Sequence, residues 1–128
     1  MEIALRQEIP TYSGGLGVLA GDTLRSSADL ELPLVGITLV SRAGYFKQEI
    51  DSHGNQVELP DTWEPSKWAT PLMARVAVSI EGRNVWIQAW LYVLQGATSY
   101  AVPVILLDTD LDANSVEDRQ ITHHLYGD

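Results

Sequence analysis

Small and apolar residues recur at three- and four-residue steps through Leu16, Leu19, Ala20, Thr23, Leu24, Ser27 and Ala28, the period of one buried helix face. Ser13 stands where an N-cap belongs. Before it, MEIAL reads as the end of a short strand; after it, LPLVGITLV (Leu32 to Val40) is almost continuously apolar, as in a strand covered on both faces. Strand, loop, helix and strand predict a βαβ start. YFKQEI (Tyr45 to Ile50) is followed by the turn-rich DSHGNQ, and LPDTWEPSKWATP has so little periodicity that it predicts a long ordered loop. From Met73 to Ile80 and from Val85 to Leu94 apolar and polar residues alternate around a four-residue connection, Glu81 to Asn84, which predicts an antiparallel hairpin. Its second arm places Val85, Ile87, Ala89, Leu91 and Val93 on one face and Trp86, Trp90 and Tyr92 on the other. Tyr100 to Leu107 reads as a further strand, with Pro103 arguing for an edge position or a strand start. Ser115 and Asp118 resemble a capping box, opening a last helix that turns Ile121 and Leu125 inward. The expected fold class is α/β: a partial Rossmann-like domain with a βαβ start and an inserted antiparallel β-hairpin.

With 128 residues, 45% of them apolar, the chain supports one modest core, as a domain or part of a larger one. A formal charge of −9, from 17 acidic and 8 basic residues with no Lys/Arg cluster, sets net repulsion against nucleic acid or an anionic membrane. The lack of cysteine excludes disulfides and thiolate metal sites. No apolar run reaches the roughly 18 residues of a membrane span and no leader pattern opens the chain, so the expected localisation is cytoplasmic. A strand starting at Met1 and a stop at Tyr126-Gly127-Asp128 read as truncation at both ends.

YSGGLGVLAGD (Tyr12 to Asp22) places four glycines ahead of a helix. A helix start offers unpaired N–H groups and partial positive charge, so glycines there let an anion approach the backbone. Gly15-Leu16-Gly17-Val18-Leu19-Ala20 satisfies G-x-G-x-x-A, and Ser41-Arg42 lies where an NADP 2′-phosphate partner would stand. Pro10 to Ser13 intervene between strand and glycine, against that pattern, and glycines serving only a tight turn and close packing are the plainer alternative. Asp108 and Asp110, roughly 7 Å apart on one strand face, admit a glycosidase pair, although Asp-Thr-Asp at a strand end is more usual as turn and cap chemistry. His53, His123 and His124 form no chelate, since adjacent helical residues diverge by about 100°, so no metal is expected. Trp63, Trp68, Trp86 and Trp90 admit sugar stacking but fit packing or an interdomain contact better. Glu49, Asp51, Glu58, Asp61 and Glu64 read as a solvated acidic face.

The run PTYSGGLGVLAGDTLRSSADLELPLVGITLVSRAGYFKQ resembles the N-terminal catalytic domain of the α-glucan (glycogen or maltodextrin) phosphorylases of bacterial type. The segment GATSYAVPVILLDTDLDANSVEDRQITHHLYGD resembles a later stretch of the same family, in family order. The resemblance implies that residues 1–128 are part of that domain, cut at both ends. It implies retaining phosphorolysis of a terminal α-1,4 link by orthophosphate, releasing glucose 1-phosphate, with pyridoxal phosphate supplying its phosphate group for proton transfer. It further implies that Gly14, Gly15, Leu16 and Gly17 meet phosphate and the terminal glucose through main-chain N–H groups. The main catalytic residues and the cofactor lysine belong, in the family, to a C-terminal domain; Lys47 and Lys67 match no cofactor-lysine motif. The fragment alone is therefore expected to be inactive, its partners being the α-1,4-glucan, orthophosphate and the missing domain. The family is one of allosteric enzymes, and the resemblance admits a homodimer of the full-length enzyme. Two alternatives stand beside it. One is a glucan synthase-like sugar-nucleotide glycosyltransferase, whose glycine loop usually follows a Lys where Tyr12 and Ser13 stand here; the other is a binding module without turnover.

Overall fold

The computed structural model describes residues 2–44, 47–59 and 61–126. Met1, Tyr45, Phe46, Pro60, Gly127 and Asp128, on which parts of the first-strand, YFKQEI, loop and chain-end expectations fall, lie outside the described residues. A helix, α1 (Gly15–Asp29), is followed by strands β1 (Gly36–Leu39), β2 (Lys47–Ile50) and β3 (Gln56–Leu59). A 3₁₀ turn (Pro65–Lys67) then leads to β4 (Thr70–Ile80), β5 (Arg83–Gln95), β6 (Ala101–Asp108) and a single helical turn, α2 (Val116–Arg119). Four strands form one sheet in the order β1-β6-β5-β4, and β2 and β3 form a separate antiparallel pair. Only β1 and β6 run parallel, Gly36 opposite Val104 and Leu39 opposite Leu107; the other pairings in that sheet are antiparallel. The fold is α/β with a mixed sheet.

The expected first strand is not formed by residues 2–5. Their polar backbone groups find partners outside any sheet: Ile3 N–H donates to the Thr11 carbonyl, Ala4 N–H to that of Gly17, and Arg25 Nη2 donates to the carbonyls of Ala4 and Leu5. The segment lies on α1, where Gly17 and Gly21 remove the Cβ atoms that would exclude it; a Cβ at Gly21 would overlap the Ala4 carbonyl oxygen. This close approach also turns the helix. Its buried residues are Gly17, Gly21, Leu24, Ser27 and Ala28, whereas Leu16 and Leu19, expected inward, are 55% and 63% exposed.

β1 carries cover on one face only. Gly36 packs against Leu24 of α1 and Thr38 is buried, but Ile37 and Leu39 point away from the helix and are exposed, so the expectation of two covered faces does not hold. β6 lies inside the sheet, which excludes the edge reading of Pro103. Nor is Pro103 a strand start, since β6 begins at Ala101 and Pro103 is already paired with Val93 of β5; it is tolerated because pairing with β1 begins one residue later, at Val104, so the missing N–H costs no bond to β1. The hairpin between β4 and β5 turns through two residues, Glu81 and Gly82, both at positive φ (49° and 79°); Arg83 is already paired to Ile80. In β5 Val85, Trp90 and Leu94 are buried and Trp86 is exposed. Val102, Val104 and Leu106 of β6 are fully buried and form the core with Ile9, Val40 and α1's Leu24. Ser115 caps α2 as expected, its Oγ accepting Asp118 N–H at 3.2 Å. That helix ends at Arg119, however, and Ile121 is exposed instead of inward.

Candidate functional site

The start of α1 lies beside the end of β1, because the helix runs back along the sheet and the chain then enters β1 in the opposite sense. A groove of about 440 Å³ opens there, lined by Glu2, Leu16, Thr38, Leu39, Ser41, Leu125 and Tyr126. A crevice at a strand's carboxyl end, next to a helix N-terminus, is where ligands sit in α/β folds.

Gly14, not Ser13, is the N-cap of α1; it is extended (φ −157°, ψ −165°) and offers no side chain. Glu2 supplies the acceptor in its place. Its carboxylate, in a residue 5% exposed, accepts Ser13 N–H at 2.6 Å and Gly17 N–H at 3.2 Å, with the Ser13 hydroxyl at 3.3 Å. Gly17 is buried, and a Cβ there would come within 2.6 Å of Tyr12 Cβ and 3.1 Å of Glu2 Cγ and Cδ. Gly14, Gly15 and Leu16 are exposed, and the N–H groups of these three have no acceptor among the described residues. A Cβ at Gly14 or Gly15 would meet nothing within 4 Å. The four residues named from the sequence thus divide: three amides are free, and the Gly17 amide is held by Glu2.

Glu2 was not legible as part of this site, since MEIAL reads as a strand. The usable signals were an acidic residue inside an apolar run and a helix start whose cap position is a glycine.

Next to the groove, Ser41 is buried at φ 48° and Arg42 turns back to Asp108. Arg42 Nη2 and Nε donate to Asp108 Oδ2 at 2.6 and 3.1 Å, Trp90 Nε1 donates to the same oxygen at 2.9 Å, and Asp110 N–H donates to Oδ1 at 2.9 Å. Burial would raise the Asp108 carboxyl, but these donors outweigh it and hold the pKa below its ordinary value. Arg42, whose own burial works against its charge, is kept above its ordinary value chiefly by Asp108. The glycosidase reading fails on this arrangement: Asp108 is fully buried and saturated, and Asp110 pairs with Arg119 at 2.7 Å. Arg42, tied to Asp108, is equally unavailable to a nucleotide 2′-phosphate, so turn and ion-pair chemistry wins.

Trp90 is buried against Asp108, Trp63 donates to the Val40 and Ser41 carbonyls, and Trp68 stacks under Arg6 at 4.2 Å; only Trp86 is substantially exposed. Among the described residues no cluster of three His, Asp or Glu could hold a metal. No described helix is long and apolar enough to cross a membrane. A pyridoxal aldehyde needs a lysine directed into a cleft, and neither lysine fits: Lys47 is on the exposed β2 beside Glu49 at 3.1 Å, and Lys67 is exposed in the 3₁₀ turn.

A family model described as carbohydrate phosphorylase matches residues 6–93. Maltodextrin phosphorylase of Thermococcus litoralis is 38% identical over 98% of this chain and 15% of its own length. Glycogen phosphorylase of Mycobacterium tuberculosis is 35% identical over 99% of this chain and 15% of its own length. Glycogen phosphorylase of Aquifex aeolicus is 32% identical over 98% and 18%. The chain thus spans less than a fifth of the length of these curated relatives.

Proposed function

Since the chain belongs to the carbohydrate phosphorylase family, we propose that residues 1–128 form part of the N-terminal catalytic domain of an α-1,4-glucan phosphorylase. Such an enzyme uses orthophosphate to release glucose 1-phosphate from glycogen or maltodextrin in the cytoplasm. The observation that supports this reading is the set of free amides at Gly14, Gly15 and Leu16, at the head of a 15-residue helix and next to the groove. Fixed N–H dipoles at a helix start stabilise anionic oxygen without reorganising at the moment of transfer. In this proposal those three amides meet the phosphate and terminal-sugar oxygens. Gly17 serves the same loop by letting Glu2 and Tyr12 approach.

The Rossmann-like architecture belongs to the same proposal: β1, β6 and α1 are the parallel nucleus of a sheet that the longer polypeptide extends. The charge balance supports a need for that polypeptide. No lysine or arginine lines the groove among the described residues, and the chain carries a net charge of −9, so the phosphate's charge must be balanced by residues outside these 128. The attachment lysine for pyridoxal phosphate belongs to the same missing part.

The test compares this chain alone with the chain joined to the remaining length of a family member such as the Thermococcus litoralis enzyme. Phosphate-dependent glucose 1-phosphate release from maltodextrin is expected only from the joined protein. A joined, folded protein that transferred glucose from a sugar nucleotide and ignored orthophosphate would overturn the proposal.

A further inference from the structure

We infer that Glu2 is a positioning residue that aims the free amides of the glycine turn; this rests on the anion-receptor reading above. Glu2 is 5% exposed, and its two oxygens hold the residues on either side of the receptor: Oε2 takes Ser13 N–H at 2.6 Å and Oε1 takes Gly17 N–H at 3.2 Å. Gly14, Gly15 and Leu16 lie between those two fixed points. With Gly14 as N-cap and no side chain to cap the helix, Glu2 is the acceptor that determines how the first turn is set. Its own backbone support is close by, since Ile3 bonds to Thr11 through both its N–H and its carbonyl. Glu2 also lines the groove, so its negative charge lies near any bound anion. Charge and positioning therefore predict opposite signs: as a mere like charge it weakens anion binding, whereas as a strut it is required for binding.

Glu2→Gln separates the two, because a carboxamide of the same shape has one oxygen and one NH₂ and cannot accept from both Ser13 and Gly17. The chain joined to the remaining length of a family member, ¹⁵N-labelled within residues 1–128 only, is titrated with inorganic phosphate while its amide signals are followed. In the wild type, phosphate is expected to shift Gly14, Gly15 and Leu16, and the Ser13 and Gly17 amides to exchange with solvent more slowly than those three. Glu2→Gln is expected to expose one of the two protected amides and to weaken phosphate binding about tenfold, the loss of one directing hydrogen bond, in a protein that is still folded at the temperature of the titration. Phosphate binding that is unchanged or tighter in a folded Glu2→Gln overturns the inference while leaving the receptor intact. No response in the wild type overturns the receptor reading and the inference with it. Should the variant not fold, the wild-type exchange pattern decides: equally fast exchange at all five amides overturns the positioning role, and protection confined to Ser13 and Gly17 supports it.

Discussion

Asp108→Asn is expected to destabilise the chain by about 2–3 kcal/mol. Asp108 is fully buried and accepts from Arg42, Trp90 and the Asp110 backbone; the substitution keeps the shape but removes the charge that balances Arg42. Removing one partner of a buried pair costs about 3–5 kcal/mol. The cost is lower here because Arg42 retains 21% side-chain exposure and a second carboxylate, Asp110, at 3.8 Å. With an unfolding entropy of about 2.1 cal/mol/K per residue, a chain of 128 residues loses about 4 °C per kcal/mol, so the melting temperature should fall by about 8–12 °C. Thermal unfolding followed by circular dichroism at neutral pH measures this. Burial sets a further order: Arg42→Met leaves a carboxylate with no solvent access, so it should cost more than Asp108→Asn. The double variant should recover part of the loss, giving a coupling of about 1–3 kcal/mol. A fall of less than about 3 °C for Asp108→Asn, or strict additivity in the cycle, would refute the view that this pair fastens the end of β6 to the residues after β1.

The depressed Asp108 pKa also fixes a pH dependence. The unfolded chain binds this proton more readily than the folded one, so the stabilisation is complete above the ordinary value of 3.8 and is lost as pH falls from there through the lower folded value. Denaturant midpoints measured across the acid range should decline less steeply in Asp108→Asn than in the wild type. At the glycine turn, Gly17→Ala places a Cβ 2.6 Å from Tyr12 Cβ, an overpacking cost of about 1–3 kcal/mol offset by at most about 1 kcal/mol of helix propensity. Gly15→Ala meets open space and should leave the denaturation midpoint unchanged or slightly raised; equal destabilisation by both would disprove the packing asymmetry. Arg83→Ala removes the two-pronged pairing with Asp118, at 2.7 and 2.8 Å, and should speed amide exchange in α2 while β6 stays protected.

Local signals were read well where they act over a few residues. The 3.6 period found α1, strict alternation found the β4–β5 hairpin, and Ser115 marked the α2 start. The misreadings share one cause, partners far away in sequence. MEIAL has strand composition, but Arg25 and Thr11 take up its polar groups before any strand can. Leu16 and Leu19 belong to an apolar helix period, yet Gly17 and Gly21 draw the N-terminal segment to the other side. Asp108 and Arg42 are 66 residues apart, so neither could be seen as the other's counterion. Of the candidate site, the glycines and their helix were legible; the division into three free amides and one held by Glu2 required the fold.

The exposed outer face of β1 bears on how the molecule behaves in solution. β1 and β4 bound the sheet, each pairing with a strand on one side, and they present Ile37, Leu39, Met73 and Val76 to water. Edge strands that lack lysine and carry greasy side chains at the margin invite further strands to add on. Handled alone at high concentration, the polypeptide should therefore recruit copies of itself, and light scattering that grows with concentration would register the recruitment.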